Sequence, residues 1–302
     1  MTPRQLAMFL GVSAIWGASY LQIKIALDGL DASMVVFARL ALAAAILYIA
    51  VLTLEDHARA IRFLRAHPGQ VALQALLGIT APFLLISYGE TQISSGLTGI
   101  LVAPGPLFVA LFAPFLDPTE RVGRRGAVGL LVGFAGVVLL VGIDSVGDAG
   151  EFIGSVAVLG AACCYGLGAM YAKNRFRQVP PLALSFFTCL AAALMVLIPA
   201  LVTLPGSEPD AGEIAAVVSL GVVGTALAFV LYFSLIQQTG AGRASLVGYM
   251  IPPAALAYGA ILLGEEITAA AIAGLVLILG GVALAGGAEG PPEAEAAPPE
   301  LA

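Results

Sequence analysis

Residues 11–24 read GVSAIWGASYLQIK, and residues 160–173 read GAACCYGLGAMYAK. Each stretch opens on a glycine and carries an aromatic–glycine pair at the same place, Trp16-Gly17 and Tyr165-Gly166. Each ends in a lysine, and Lys24 and Lys173 are the only lysines in the chain. A pattern written twice, half a chain length apart, asks for an architecture built from two similar halves.

The surroundings of both stretches fix the solvent. The chain of 302 residues is 60% hydrophobic and 11% charged, whereas a soluble domain carries about 25% charged residues. Apolar runs long enough to cross the hydrocarbon as helices recur at about 5–27, 32–53, 69–88, 94–116, 125–143, 152–173, 181–204, 213–236, 243–263 and 268–286. The strands of a β-barrel would alternate apolar and polar residues, and these runs do not. The expected fold class is therefore all-α integral membrane, with ten transmembrane helices. The first span matches the sixth in pattern, so it is expected to be retained rather than cleaved. The net charge of −6 lies largely in short loops and the last residues, and no basic or acidic surface implies nucleic acid. Cys163, Cys164 and Cys189 sit inside apolar runs and read as small packing residues, with no disulfide framework.

Orientation follows from the basic residues. Arg4, Arg59, Arg62, Arg65, Arg121, Arg124, Arg125, Lys173, Arg175, Arg177 and Arg243 all fall on one side if both termini are cytoplasmic, while the outer connections 28–31, 89–93, 144–151, 205–212 and 264–267 hold no Lys or Arg. Five spans is an odd number, so the second half enters the membrane from the opposite side. The two halves then form an inverted-topology repeat: residues 1–145, then 146–287, then a Pro/Ala/Glu-rich tail, 288–302, expected to be disordered. FARLALAAAIL at Phe37 parallels FFTCLAAALMVL near Phe187. SSGLTGILVAPGPLF at Ser94 parallels GAGRASLVGYMIPPAA at Gly240, which sets Pro106 opposite Pro252. GLLVGFAGVVLLVG at Gly129 parallels AGLVLILGGVALAGG at Ala273. Two such halves can exchange roles, opening a central cavity to one side and then the other, which favours a transporter over a channel or a structural protein.

The Trp16-Gly17 start, the Phe37–Arg39 element, the Pro106…Glu120 element and the Pro252–Glu265 element ending in LLGEEIT resemble the EamA-type transporters of the drug/metabolite transporter superfamily. The resemblance covers about residues 5–286. It implies a ten-helix fold with the substrate cavity between the halves, and export or exchange of small metabolites, often amino acids. Two departures stand out. The Pro106–Glu120 spacing is one residue longer than Pro252–Glu265, and Cys189 stands where a repeat of Arg39 would fall. A charge-based site would therefore be asymmetric.

Arg39 is the strongest single candidate for substrate contact. It lies about seven residues, roughly 10 Å, into its span. Intramembrane charge tends to face a cavity. Its guanidinium either receives a carboxylate or phosphate, or snorkels or pairs across helices. Lys24 shares a helix face with Asp28 and either pairs with it or reaches substrate. Trp16, Tyr20 and Tyr165 line a cavity wall or simply pack. Tyr88 and Gln92 share a face near the outer end of span three and read as substrate contacts or as a loop-end polar pair. Pro82, Pro106 and Pro252, with Pro104 and Pro253, break helices as hinges, cavity-lining kinks or static bends. Gly129 and Gly133 form a close-packing face, within the chain or between chains. Glu120, Glu265 and Glu266 sit at span ends, where capping or solvation is expected, and His57 and His67 belong to the basic cytoplasmic loop.

No metal motif, paired intramembrane aspartates or phosphate-binding glycine loop occurs, so neither catalysis nor a cofactor is expected. With no Asp, Glu or His near the middle of a span, facilitated diffusion or exchange fits better than an obvious proton carrier. The leading reading is a secondary transporter, exporting or exchanging small organic metabolites, with amino acids or related compounds favoured by the resemblance. The competing readings are an integral membrane enzyme acting on lipid-like substrates and a receptor or assembly subunit without flux. The expected partners are a small-molecule substrate and the lipid bilayer, the chain acting as monomer or homodimer. Eleven arginines and no targeting peptide fit a bacterial inner membrane.

Overall fold

Helix α1 (Pro3–Ala26) starts where its capping residues permit. The Gln5 backbone N–H donates to the Thr2 hydroxyl at 3.3 Å, and the Gln5 side chain accepts from the Thr2 N–H at 2.8 Å. Pro3 stands in the first turn, where its missing N–H removes no helical bond. The computed structural model describes residues 2–54, 58–116, 124–144, 148–176, 179–205, 208–239 and 247–286. The predicted tail 288–302, Glu120, His57, Arg121, Arg177 and Arg243 lie outside those residues, as do the side chains of Arg59 and Lys173.

The described chain is helical, with no strand among the described residues. After α1 come α2 (Ala32–Leu54), a short α3 (Ala58–Ala66) inside the long loop, and α4 (Pro68–Ala75). A π turn at Leu76–Thr80 joins α4 to α5 (Ala81–Glu90). Then follow α6 (Ser95–Val102), α7 (Gly105–Leu116), α8 (Arg124–Asp144), α9 (Ala149–Arg175) and α10 (Pro181–Val202). A second π turn, Val222–Leu227, joins α11 (Ala211–Gly221) to α12 (Ala228–Thr239). A third, Gly259–Leu263, follows α13 (Val247–Tyr258), and α14 (Ala269–Gly286) completes the order.

Among the described residues, six runs are long and apolar enough to cross a membrane: Pro3–Ala26, Ala32–Thr53, Pro68–Glu90, Ala149–Ala172, Pro181–Val202 and Ala211–Tyr232. Shorter apolar helices occupy Ser95–Val109, Val247–Leu263 and Ala269–Leu284. Large apolar side chains on the outside stay bare, Val202 at 80%, Ile261 at 78%, Leu131 at 74% and Ile198 at 72%. Water would penalise such a surface and hydrocarbon does not. The third span runs two residues beyond its predicted end, which brings Glu90 into the helix.

The prolines explain the breaks. Pro82 stands two residues after the first π turn, since its ring removes a backbone donor and the ladder must shift register to get past it. Pro106 lies in the first turn of α7, after a break at Ala103–Pro104 that divides the fourth span into α6 and α7. Pro252 and Pro253 lie inside α13, one turn and more before the third π turn.

The repeated aromatic–glycine pair now acquires a physical meaning. Helix α1 packs against α13, α11 and α12, and α9 packs against α5, α6 and α7. A Cβ placed on Gly17 would stand 2.5 Å from Ala254 Cβ and 3.3 Å from the Ala255 nitrogen. A Cβ on Gly166 would stand 3.1 Å from Phe108 Cβ and 3.2 Å from the Val109 nitrogen. Ala254 lies two residues after Pro252 and Phe108 two residues after Pro106. Each glycine therefore lets its long helix approach a proline-bearing one, α1 at α13 and α9 at α7, two residues past the proline. The Gly129/Gly133 face is used within the chain: a Cβ on Gly281 of α14 would collide with the Gly133 backbone and the Gly129 carbonyl.

Candidate functional site

Helix α2 carries Arg39 between the buried apolar residues Val36, Leu40 and Ala43, and Arg39 itself is only 4% exposed. Its guanidinium is fixed on two sides. Nε and Nη2 donate to the Thr225 hydroxyl at 3.3 and 3.1 Å. The Phe83 ring lies beneath it, 4.1 Å from Cζ to the ring centroid, in cation–π range. The partner hydroxyl is itself oriented by the second π turn, for Thr225 Oγ1 donates to the Leu220 carbonyl at 2.9 Å and so turns its lone pairs toward Arg39. A guanidinium has five N–H donors. Two converge on one hydroxyl, and the others have no protein acceptor among the described residues.

Tyr165, Cys189, Glu90 and Tyr20 are the electrostatic neighbours of Arg39. Tyr20 of α1 is buried against Gly99, where a Cβ would touch the edge of its ring at 3.5 Å. Tyr165 of α9 packs against two apolar clusters, one centred on Leu40 and Phe83, the other on Tyr20 and Ile86. Cys189, opposite Arg39 in the repeat, belongs to the first of these and packs as a small apolar residue. No group of three potential metal ligands occurs among the described residues.

Glu90 was not anticipated from the sequence. It closes α5 with no exposed surface, and neither carboxylate oxygen has a hydrogen-bond partner among the described residues. Hydropathy ends the third span at residue 88, so Glu90 reads as a loop acid. The helix continues because Lys24 arrives from α1 and donates to the carbonyls of Glu90 at 2.6 Å and Ile93 at 3.0 Å. This corrects the expectation that Lys24 engages Asp28 on its own helix. Two charge-assisted bonds to a helix end contribute about 3 kcal/mol together. Lys24→Met is expected to lower the melting temperature of the purified protein, read by size-exclusion thermostability in detergent.

The other candidates lie elsewhere. Trp16 lies against Tyr232 with ring centroids 4.9 Å apart and planes tilted by 56°, and meets Phe229 edge-on at 6.3 Å, in a cluster with Met8, Val12, Leu235 and Val247. It packs, and Tyr20, one turn along, is buried in a different cluster with Ile23, Ile86 and Ala255. Tyr88 is 50% exposed, and Gln92 is exposed with its amide donating to the Thr91 hydroxyl at 2.9 Å. Both stand apart from the buried group, as a loop-end polar pair does.

Glu265 has a role larger than solvation. Gly264 adopts φ +68°, the left-handed region that glycine enters without strain, and turns the chain after the third π turn. Glu265 then accepts from the Ser95 N–H at 2.8 Å, the Ser95 hydroxyl at 2.9 Å and the Gly96 N–H at 3.0 Å. A carboxylate at the N-terminus of α6 satisfies donors that the helix leaves open. Glu265→Ala should loosen this join and cost about 2–4 kcal/mol, visible as a lower melting temperature, with Glu265→Gln intermediate.

A described chain that is helical, with an apolar exterior and a charged side chain enclosed among its helices, is that of an integral membrane protein. The chain belongs to the EamA-like transporter family, whose sequence profile matches residues 4–142 and again 152–287. An uncharacterized transporter of Bacillus subtilis, YoaV, is 24% identical, with 90% of this chain and 93% of that protein covered. A protein of Streptantibioticus cattleyicolor named a probable terminal-alkyne amino-acid exporter is 26% identical over 89% of each chain. The Escherichia coli inner membrane transporter YedA, also uncharacterized, is 27% identical over 84% of this chain and 81% of its own. A solved crystal structure 22% identical in sequence superimposes with a TM-score of 0.66, covering 93% of this chain and 96% of that one, and shares the fold.

Proposed function

We propose that this protein is a secondary transporter that exports or exchanges small organic metabolites, amino acids and related compounds being the favoured class. It works by alternating access between two inverted five-helix halves, 1–145 and 146–287, as ten spans in a bacterial inner membrane with both termini cytoplasmic. The observation that carries this reading is Arg39, a buried guanidinium with spare donors, held by Phe83 of the first half and Thr225 of the second. A cation in that position can recognise a substrate carboxylate and sense the relative position of the halves at once. The reciprocal Gly17 and Gly166 contacts and the twofold family match support the repeat. The name of the Streptantibioticus relative supports the substrate class. An enzyme acting on lipids would need reacting carboxylates or histidines clustered at a membrane face, and the candidate group has a different composition.

The test is release from proteoliposomes loaded with a mixed pool of amino acids and other small metabolites, followed by mass spectrometry. Selective release above empty liposomes is expected. No release by folded, inserted protein would overturn the reading.

A further inference from the structure

We propose that Glu265 is the latch of a gate: its carboxylate holds the two halves together at one end of the bundle, and its release opens the interior there during transport. The proposal rests on the transporter reading with its two halves, and adds the residue that sets the balance between closed and open at that end. The end in question is where α1, α5, α10 and the π turn after α13 finish and α2, α6, α9, α11 and α14 begin. In the proposed orientation it faces outward. Contacts between the halves gather there. The hydroxyls of Ser33 on α2 and Thr203 after α10 share a hydrogen bond of 2.6 Å. The turn at Gly29 lies against the Glu213 carboxylate, with no room for a Cβ. A Cβ on Gly89 would stand 2.9 Å from the Gly154 carbonyl oxygen, and one on Gly154 would stand 3.0 Å from that of Gly89. Glu265 completes the set, accepting from Ser95 and Gly96 of the other half.

Glu265 differs from the other contacts in being built to let go. Its donors are one hydroxyl and two backbone N–H groups. It is half-buried and borders a recess of about 230 Å³, which the exposed Glu266 also lines. Water can therefore take over each of its bonds as the parts separate. Glu151 lines the same recess, and the like charges of the three carboxylates favour separation. The chain on both sides of the join is already broken. Gly264 and the π turn Gly259–Leu263 come immediately before Glu265. On the receiving side, α6 is eight residues long and ends at the Ala103–Pro104 break. Both partners thus ride on short segments that can tilt while the long helices stay intact. Behind the join lies the interior. One turn into α6, a Cβ on Gly99 would collide with Ala255 of α13 and touch the Tyr20 ring of α1 at 3.5 Å. Helix α6 is thus wedged between α1 and α13, and drawing it away from α13 uncovers Tyr20 and the buried cluster around it.

The experiment measures the width of that end. Full-length protein with Cys163, Cys164 and Cys189 replaced by alanine carries spin labels at Thr91→Cys and Ile267→Cys, both exposed positions beside the join. Dipolar electron paramagnetic resonance in lipid nanodiscs reads their separation. With Glu265 in place the shorter separation should dominate. Glu265→Ala should move the ratio of longer to shorter by about tenfold or more, as expected for the loss of one charge-assisted bond. Ser95→Ala keeps both N–H donors and should shift the ratio the same way by a smaller factor, which guards against misfolding of the first variant. Release of the mixed metabolite pool should slow with the shift, because a carrier that rarely closes rarely turns over. A lower melting temperature in Glu265→Ala with the separation unchanged would make Glu265 a static staple and overturn the gate. A protein that shows only the longer separation with Glu265 in place would overturn it too, as would full-rate release despite the shift. The two readings fail apart. No release by wild type sinks the transporter reading, whereas selective release beside an unchanged separation sinks the gate alone.

Discussion

Arg39→Ala is expected to lower the rate of substrate release by about 100-fold while leaving a folded protein. Two charge-assisted bonds to a substrate carboxylate are worth about 3 kcal/mol, and each 1.4 kcal/mol is tenfold in affinity. Folding should survive because Thr225 keeps its bond to the Leu220 carbonyl when the guanidinium leaves, so no buried hydroxyl is stranded. Arg39→Lys is the more informative partner. It keeps the charge but loses the planar fork that lies on Phe83 and donates to Thr225. It should retain about a tenth of the wild-type rate, with the lost affinity carried mainly by solutes that have a carboxylate. Initial rates in proteoliposomes, normalised to inserted protein, check both. Wild-type rates in Arg39→Ala would remove this residue from the site.

The second large effect concerns two adjacent glycines. Gly281→Ala should destabilise the protein by about 1–3 kcal/mol or more, whereas Gly280→Ala should be neutral or stabilising by up to about 1 kcal/mol. Helices α8 and α14 form the broadest helix pair in the described chain. At Gly281 the three atoms nearest a Cβ are all backbone, the nitrogen and Cα of Gly133 and the carbonyl oxygen of Gly129. Backbone cannot swing aside as a side chain can, so the two helices must separate along their length. At Gly280 nothing lies within 4 Å, so the change there reduces to the gain in helix propensity. Comparing the melting temperatures of the two variants in detergent isolates the seam from any general effect of adding a methyl group. Equal stability of the two would mean that α8 and α14 do not pack in this way.

Much of this was legible in the chain. The composition selects the solvent, and the repeated aromatic–glycine pair marks where close approach is needed, because only glycine omits the atom that would block it. Arg39 stands out because a guanidinium inside an apolar run has few uses. Other features were illegible for a common reason: they depend on residues far apart in sequence. Thr225 and Phe83 look like ordinary members of apolar runs until folding brings them to Arg39. Glu90 reads as a loop acid because hydropathy cannot foresee that Lys24, from another helix, will hold the last turn of α5 together. Tyr88 and Gln92 pose the opposite case, for both are exposed. Their shared face was inferred correctly from spacing, but spacing does not say whether that face looks inward. The Lys24–Asp28 pairing was a local rule overridden by a nearby set of unsatisfied carbonyls.

The crossing of α1 onto α13 has a consequence for biogenesis. A ribosome adds about 5–20 residues per second, so Ala254 emerges some 12–47 s after Gly17. Throughout that interval the glycine face of α1 has no permanent neighbour, and Arg39 must wait almost as long for Thr225. The helices made first therefore wait with the Arg39 guanidinium on Phe83 but without its bond to Thr225. Membrane insertases and lipid headgroups are the partners at hand, and degradation competes with completion. Slowing translation between the halves should deplete the mature protein more than slowing it after residue 260, because only the earlier pause prolongs the life of the unaccompanied half.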